Sequence, residues 1–186
     1  MFSRKRFAPS SVSAHMREKQ QRYETLVHAL HGDLYRYAVW LVKDTAVAED
    51  LVQETFLRAW KSLDSLLDDK AAKAWLITIL RRENARRFER KQFDLVDMED
   101  IPLADENLHT DEQRLQHREI RRHMAALEEE YREPLMLQLI FGYSGDEIAE
   151  LLQLNKNTVM TRLFRARNQI KDAIEAQSTN RGRKNG

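Results

Sequence analysis

Residues 144–170 read SGDEIAELLQLNKNTVMTRLFRARNQI, and the pattern of this stretch decides the fold. Ser144 is followed three residues later by Glu147, the spacing of a capping box. In that arrangement the hydroxyl accepts from a first-turn amide while the carboxylate accepts from the amide of the capping residue. Ile148, Ala149 and Leu152 mark the inner face of the short helix that follows. Gln153-Leu154 makes a brief turn, and Asn155 can cap a second helix whose inner face carries Val159, Leu163, Ala166 and Ile170. Two helices joined by so short a turn, with small Ala149 where they must approach, describe a helix-turn-helix. The second helix turns Lys156, Asn157, Met160, Thr161, Arg162, Phe164 and Arg165 outward. Such residues suit a major groove, where Lys and Arg reach guanine acceptors and Asn pairs with adenine; Arg167 and Lys171, further along, suit phosphates.

Upstream of this module the composition points to helix throughout. Hydrophobic residues make up 42% of the 186, charged residues 33%, and there are only five Gly and three Pro. That balance favours an all-α protein, and the length accommodates two small helical domains. The absence of cysteine excludes disulfides, thiolate zinc sites and cysteine nucleophiles, and fits a cytoplasmic setting. No run of about 18 apolar residues occurs, so no direct membrane insertion is expected. Met1 to Met16 has basic residues at Arg4, Lys5 and Arg6 without an apolar stretch behind them, and reads as a disordered extension, residues 1–16.

The first folded block is expected over residues 17–91. Residues 17–43 read as helix, with a possible break at Gly32. Asp44 or Thr45 can cap a second helix, in which Ala48, Leu51, Val52, Thr55, Phe56, Ala59, Trp60 and Leu63 recur as one apolar stripe. Asp50, Gln53, Glu54, Arg58 and Lys61 face the other way. Asp64 to Lys70 forms a polar loop, and a further helix runs from about Ala71 to Lys91. Its first half, around Ala74-Trp75-Leu76-Ile77, is apolar almost all round and must be largely buried. Its second half carries Arg82, Arg86 and Arg90 in one stripe, with Arg81, Arg87 and Lys91 beside them.

Residues 92–112 hold Asp94, Asp97, Glu99, Asp100, Asp105, Glu106, Asp111 and Glu112 without a single Lys or Arg, and read as an acidic flexible linker. The C-terminal domain is expected over 113–176, with helices at Gln113–Glu130 and Arg132–Phe141 ahead of the helix-turn-helix, and Pro134 in a first turn. Residues 177–186 read as a polar tail. The net charge of +1 conceals this segregation: two basic regions flank an acidic one, as for two contacts on one polyanion.

The run Asp50-Leu51-Val52-Gln53-Glu54 resembles the helix by which bacterial sigma factors grip the clamp coiled coil of RNA polymerase. The elements Glu147-Ile148-Ala149 and Thr158-Val159 through Arg162-Leu163 to Arg165-Ala166-Arg167 resemble the promoter-reading domain of the extracytoplasmic-function subfamily. With Trp75-Leu76 opening a basic helix between them, the resemblance covers about residues 20 to 175 and is that of an extracytoplasmic-function sigma factor. It implies a transcription initiation factor that binds core RNA polymerase and directs it to a set of promoters, reading the minus-ten and minus-thirty-five elements and aiding strand opening. By the same resemblance Asp50, Gln53 and Glu54 contact the clamp. Lys70, Lys73, Trp75, Arg81, Arg82, Arg86 and Arg90 handle the minus-ten element, and Lys156, Asn157, Thr161, Arg162, Phe164, Arg165 and Arg167 the minus-thirty-five element. A cognate anti-sigma factor is an expected further partner.

Strand separation needs no bond chemistry, only a pocket for a flipped base and a basic groove along its backbone. Trp75 is open to two readings here, a stacking platform or plain core packing. The chain departs from the family where Leu66-Leu67-Asp68-Asp69 replaces a loop that commonly holds an aromatic residue and a Gly, and at Arg82, where Asn is frequent. Met160 also stands where a basic residue is common. No cofactor and no metal site is expected: His28, His31 and His117 lack converging ligands in the sequence. No phosphate loop or nucleophile motif marks an enzyme. An ordinary helix-turn-helix regulator and a protein-binding helical adaptor are the competing readings, and both leave Asp50, Gln53 and Glu54 unexplained.

Overall fold

The structure, a computed structural model, describes the chain path of residues 9–90 and 111–184, and side chains over 13–87 and 118–176. The described residues form seven α-helices and two 3-10 turns, with no strand among them. Helix α1 spans Pro9–Val42, α2 Thr45–Ser62, α3 Ala72–Arg90, α4 Asp111–Ala126, α5 Glu129–Phe141, α6 Gly145–Leu152 and α7 Lys156–Lys184. The 3-10 turns are Leu63–Ser65 and Asp69–Ala71. The chain divides into two compact units, one of Met1–Tyr35 with Glu49–Asp94, the other of Arg36–Ala48 with Leu95–Gly186.

Four expected boundaries are corrected. The N-terminal extension is helical from Pro9, not disordered through residue 16, and α1 then runs unbroken past Gly32. Proline suits a helix start because its ring presets φ and its missing N–H is not needed there. A single exposed glycine costs a helix only about 1 kcal/mol, too little to break one anchored on both sides. Asp111 and Glu112, expected within the acidic linker, open α4 instead; the rest of the expected linker, 92–110, lies outside the described residues. The expected helix through Glu130 stops at Ala126 instead, which leaves Pro134 in the sixth position of α5 and the Glu130 carbonyl without its usual i+4 amide. Finally, α7 continues through the expected polar tail to Lys184, because nothing from Asn168 to Arg181 interrupts its backbone ladder.

In the first unit, the stripe on α2 is buried as its spacing requires: Leu51, Val52, Thr55, Phe56, Ala59 and Leu63 are all inside. The Thr55 hydroxyl, which would be costly to bury alone, donates to the Leu51 carbonyl at 2.7 Å. Leu76, Ile77 and Leu80 of α3 are fully buried with them. Each such side chain contributes roughly 1.5–3 kcal/mol on leaving water. The start of α2, which belongs to the second unit, is capped by Asp44, its Oδ1 accepting from Val47 N at 2.9 Å.

In the second unit, Leu135, Met136, Leu137 and Phe141 of α5 join Ile148 and Ala149 of α6 and Val159, Leu163 and Ala166 of α7 in the core. Gly142 ends α5 at φ 72°, a left-handed conformation that suits glycine, and its N–H donates to the Gln138 carbonyl. Buried Arg132 donates to the Leu127 carbonyl at 2.6 Å and the Trp40 carbonyl at 3.0 Å. Burial lowers its pKa from the ordinary guanidinium value.

Candidate functional site

The helix-turn-helix assembles as its sequence requires. The Ser144 side chain accepts from Glu147 N at 3.3 Å, and Glu147 Oε2 accepts from Ser144 N at 2.8 Å. Gln153 makes the turn at φ 55°, with Leu154 N–H donating to the Ala149 carbonyl at 2.9 Å. Asn155 caps α7 by accepting from Asn157 N at 2.8 Å. Lys156, Asn157, Thr161 and Phe164 are exposed on the outward face, Phe164 to 64%. Met160 has a structural occupation: its Sδ lies 2.7 Å from where a Cβ on Gly145 would sit, so the thioether lies over the bare first turn of α6.

The expected cations of this face are not simply projected into solvent. Lys156 pairs with Asp146 at 2.8 Å, and Arg162 with Glu130 at 2.9 Å. Arg165 donates to the Tyr131 hydroxyl at 3.4 Å, and Arg167 donates to Gln138. Three arginines of α7 therefore reach back to α5. Sequence spacing fixed which side of α7 they occupy and not these partners. Beside them, Ile120, Met124, Leu135, Leu139, Ile170 and Ile174 line an open apolar groove that the sequence reading missed.

In the first unit, Asp50 and Gln53 are exposed and Glu54 half-buried, on the side of α2 opposite its buried stripe. They sit in a charged lattice. Arg58 Nε lies 3.1 Å from Glu54 Oε1 and 2.9 Å from Glu83 Oε1, while Arg86 reaches the same Glu83 oxygen at 2.7 Å. Arg87 approaches Asp50 at 3.9 Å. Glu83, whose side chain is only 7% exposed, thus ties α2 to α3 beneath the acidic patch. The sequence reading missed it, because in one dimension Glu83 is only a counter-charge in an arginine-rich run.

Of the other expected residues, Lys70 and Arg82 are exposed, and Lys73 and Arg81 are half-buried. Arg86 is engaged by Glu83, and the Arg90 side chain lies outside the described residues. Trp75 packs, partly buried, against the cluster of Leu63, Leu66 and Ala72, so its core role is the one the structure supports. The loop before α3 folds into the two 3-10 turns, with Leu67 between them 94% exposed. No group of His, Asp or Glu among the described residues is arranged to hold a metal ion. No helix among them is long and apolar enough to cross a membrane.

A helical unit with an outward acidic patch, and a second with a capped helix-turn-helix, define the class of an all-helical DNA-reading protein. Residues 26–93 match sigma-70 region 2, and residues 117–170 match sigma-70 region 4. The ECF RNA polymerase sigma factor SigL of Mycobacterium tuberculosis is 35% identical over 150 residues, covering 76% of this chain and 84% of that protein. The ECF RNA polymerase sigma factor SigX of Bacillus subtilis is 28% identical over 165 residues, covering 84% and 85%. Two solved structures are similar. The sigma factor RpoE, in complex with the anti-sigma factor NepR from Bartonella quintana, has a TM-score of 0.66 at 25% identity, covering 82% of this chain and 96% of that one. CnrH, in complex with the cytosolic domain of CnrY, has a TM-score of 0.61 at 25% identity, covering 84% and 90%. The chain belongs to the extracytoplasmic-function sigma factors, and is a transcription initiation factor that directs RNA polymerase to particular promoters.

Proposed function

We propose that the chain docks on the clamp coiled coil of core RNA polymerase through Asp50, Gln53 and Glu54, as the first of three contacts that place the enzyme on a promoter. The observation that carries this reading is the division of α2. Its apolar stripe is consumed by the core, whereas Asp50 and Gln53 lie exposed on the opposite face with no core role. The turns from Leu63 to Ala71 and the basic half of α3 then receive the non-template strand of the minus-ten element, with Lys70, Lys73, Arg81, Arg82, Arg86 and Arg90 along its backbone. Helix α7 enters the major groove at the minus-thirty-five element by its N-terminal turn, where Lys156, Asn157, Thr161 and Phe164 face outward. Arg162, Arg165 and Arg167 join by exchanging their α5 partners for DNA acceptors.

The work is binding and strand capture rather than bond chemistry, and its setting is the cytoplasm. A cognate anti-sigma factor holds the chain inactive; the two similar solved complexes, one with an anti-sigma factor and one with a cytosolic domain of CnrY, support that partner. The test is Asp50→Ala with Gln53→Ala and Glu54→Ala. Truncating polar contacts at a buried interface costs about 2 kcal/mol or more, roughly a thirtyfold loss of affinity. The triple variant should keep its helical content and lose association with core enzyme. Co-purification with core at the wild-type level would defeat the docking assignment.

A further inference from the structure

The match to sigma-70 region 2 begins at residue 26, yet α1 extends upstream of it and the added turns are not idle. Lys19 Nζ lies 2.6 Å from Asp64 Oδ2. Arg22 grips Asp69 Oδ1 with Nη2 at 2.6 Å and Nε at 2.8 Å, and its Nη2 also donates to the Leu66 carbonyl at 2.5 Å. Tyr23 donates to the Phe56 carbonyl at 3.1 Å, meets the Trp60 ring edge-on at 5.1 Å, and packs with Leu26 against Leu63, Leu66 and Ala72. Lys19 also lies over the Trp60 ring at 5.4 Å.

Both ends of the loop are therefore held by one face of α1. The loop itself has little to hold it: single 3-10 turns have poor hydrogen-bond geometry and do not propagate. Its own bonds are local ones, among them Leu66 N to the Leu63 carbonyl, Ala71 N to the Asp68 carbonyl, Ala72 N to the Asp69 carbonyl, Lys70 N to the Asp68 side chain, and the Ser65 hydroxyl to the Ser62 carbonyl. What the bracing displays is Leu67, a large apolar side chain almost wholly in water between buried Leu66 and acidic Asp68. A large apolar side chain held in solvent on a fixed loop suits contact with a base face. The bracing also answers a charge problem, because Asp64, Asp68 and Asp69 would repel a phosphate backbone, and Lys19 and Arg22 neutralise two of the three.

We propose that Lys19 and Arg22 are positioning residues for promoter discrimination: they lock the Asp64–Asp69 loop in the shape that presents Leu67 to an unpaired minus-ten base. The inference rests on the reading above that this loop meets the non-template strand. Its test uses full-length chain with core polymerase in run-off transcription from a template library randomised upstream of the start site, with the transcribed templates sequenced. Leu67→Ala identifies the minus-ten positions whose base preference depends on the loop. At those positions Arg22→Gln and Lys19→Glu should lower the preferred-to-disfavoured ratio about fivefold or more, while affinity for core stays within about twofold of wild type. Lys19→Glu with Asp64→Lys restores the ion pair in reverse and should recover discrimination.

If Leu67→Ala shifts a preference and neither α1 variant does, the bracing role is overturned and the loop reading stands. If Leu67→Ala shifts nothing, the loop reading falls and takes this inference with it. If Arg22→Gln or Lys19→Glu unfolds the unit, the Lys19–Asp64 swap decides: recovered thermal stability without recovered discrimination assigns the pair a merely structural role.

Discussion

Glu83→Gln isolates the buried carboxylate that ties α2 to α3, because it keeps the side-chain shape and removes the charge. The wild-type group accepts from Arg58 at 2.9 Å and Arg86 at 2.7 Å. A hydrogen bond to a charged group contributes about 1.5–3 kcal/mol when shielded from water. Both arginines are near half exposed, at 45% and 50%, so solvent screening reduces each contact, to under about 1 kcal/mol. The glutamine retains one acceptor but turns its amide N–H toward a cation. The net expectation is a loss of about 1–2 kcal/mol, discounted in this way from the intact pairs. For a unit of this size each kcal/mol lowers the melting midpoint by roughly 4–8 °C. Thermal unfolding followed by circular dichroism should show the first unit melting roughly 5–15 °C earlier. Arg58→Ala should add less than its separate cost in the Glu83→Gln background, since the two share one contact. Because Arg58 also holds Glu54, affinity for core polymerase should fall a few fold in the same variant. A midpoint within about 1 °C of wild type would show that the bridge contributes nothing and refute the reasoning.

Further outcomes follow from individual positions. Gly142→Ala places a Cβ on a left-handed residue at φ 72° and should destabilise the second unit by about 1–2 kcal/mol in denaturant titration, although no neighbouring atom would clash. Arg162→Ala or Arg165→Ala should change the ranking of mutated minus-thirty-five sites in competition binding by holoenzyme, where a base contact is worth about 1–3 kcal/mol. Lys171→Ala should lower affinity evenly across sites and reduce its salt dependence. The hydrogen bond from Lys19 holds the Asp64 carboxyl below its ordinary range. A depressed folded-state pKa stabilises above the unfolded value and is lost as pH falls through the folded one, so the Lys19–Asp64 clasp should open only below the ordinary carboxylate range. A carboxyl titration by nuclear magnetic resonance reads this directly, and Lys19→Ala should return Asp64 to its usual behaviour.

What the sequence by itself determined is the part of the protein written in local order. The capping box at Ser144 and Glu147, the Asn155 cap, the Asp44 cap and the helical stripe from Ala48 to Leu63 depend on residues three or four apart, where backbone geometry alone dictates who meets whom. The two-part helical organisation and the outward placement of Asp50, Gln53 and Lys156 follow from the same periodicity. Local order was weaker at ends, where α1 and α7 extend beyond expectation and α4 is shifted toward the N-terminus, because polar sequence without a breaker is equally compatible with helix and coil. Tertiary structure alone decided which partners these charges take. Arg162 meets Glu130 across 32 residues, Arg58 meets Glu83 across 25, and Lys19 and Arg22 cross 45 and 47 residues to reach Asp64 and Asp69. An exposed cation gains so little from any one partner that composition cannot select it; packing does, by bringing one carboxylate within reach and excluding the rest.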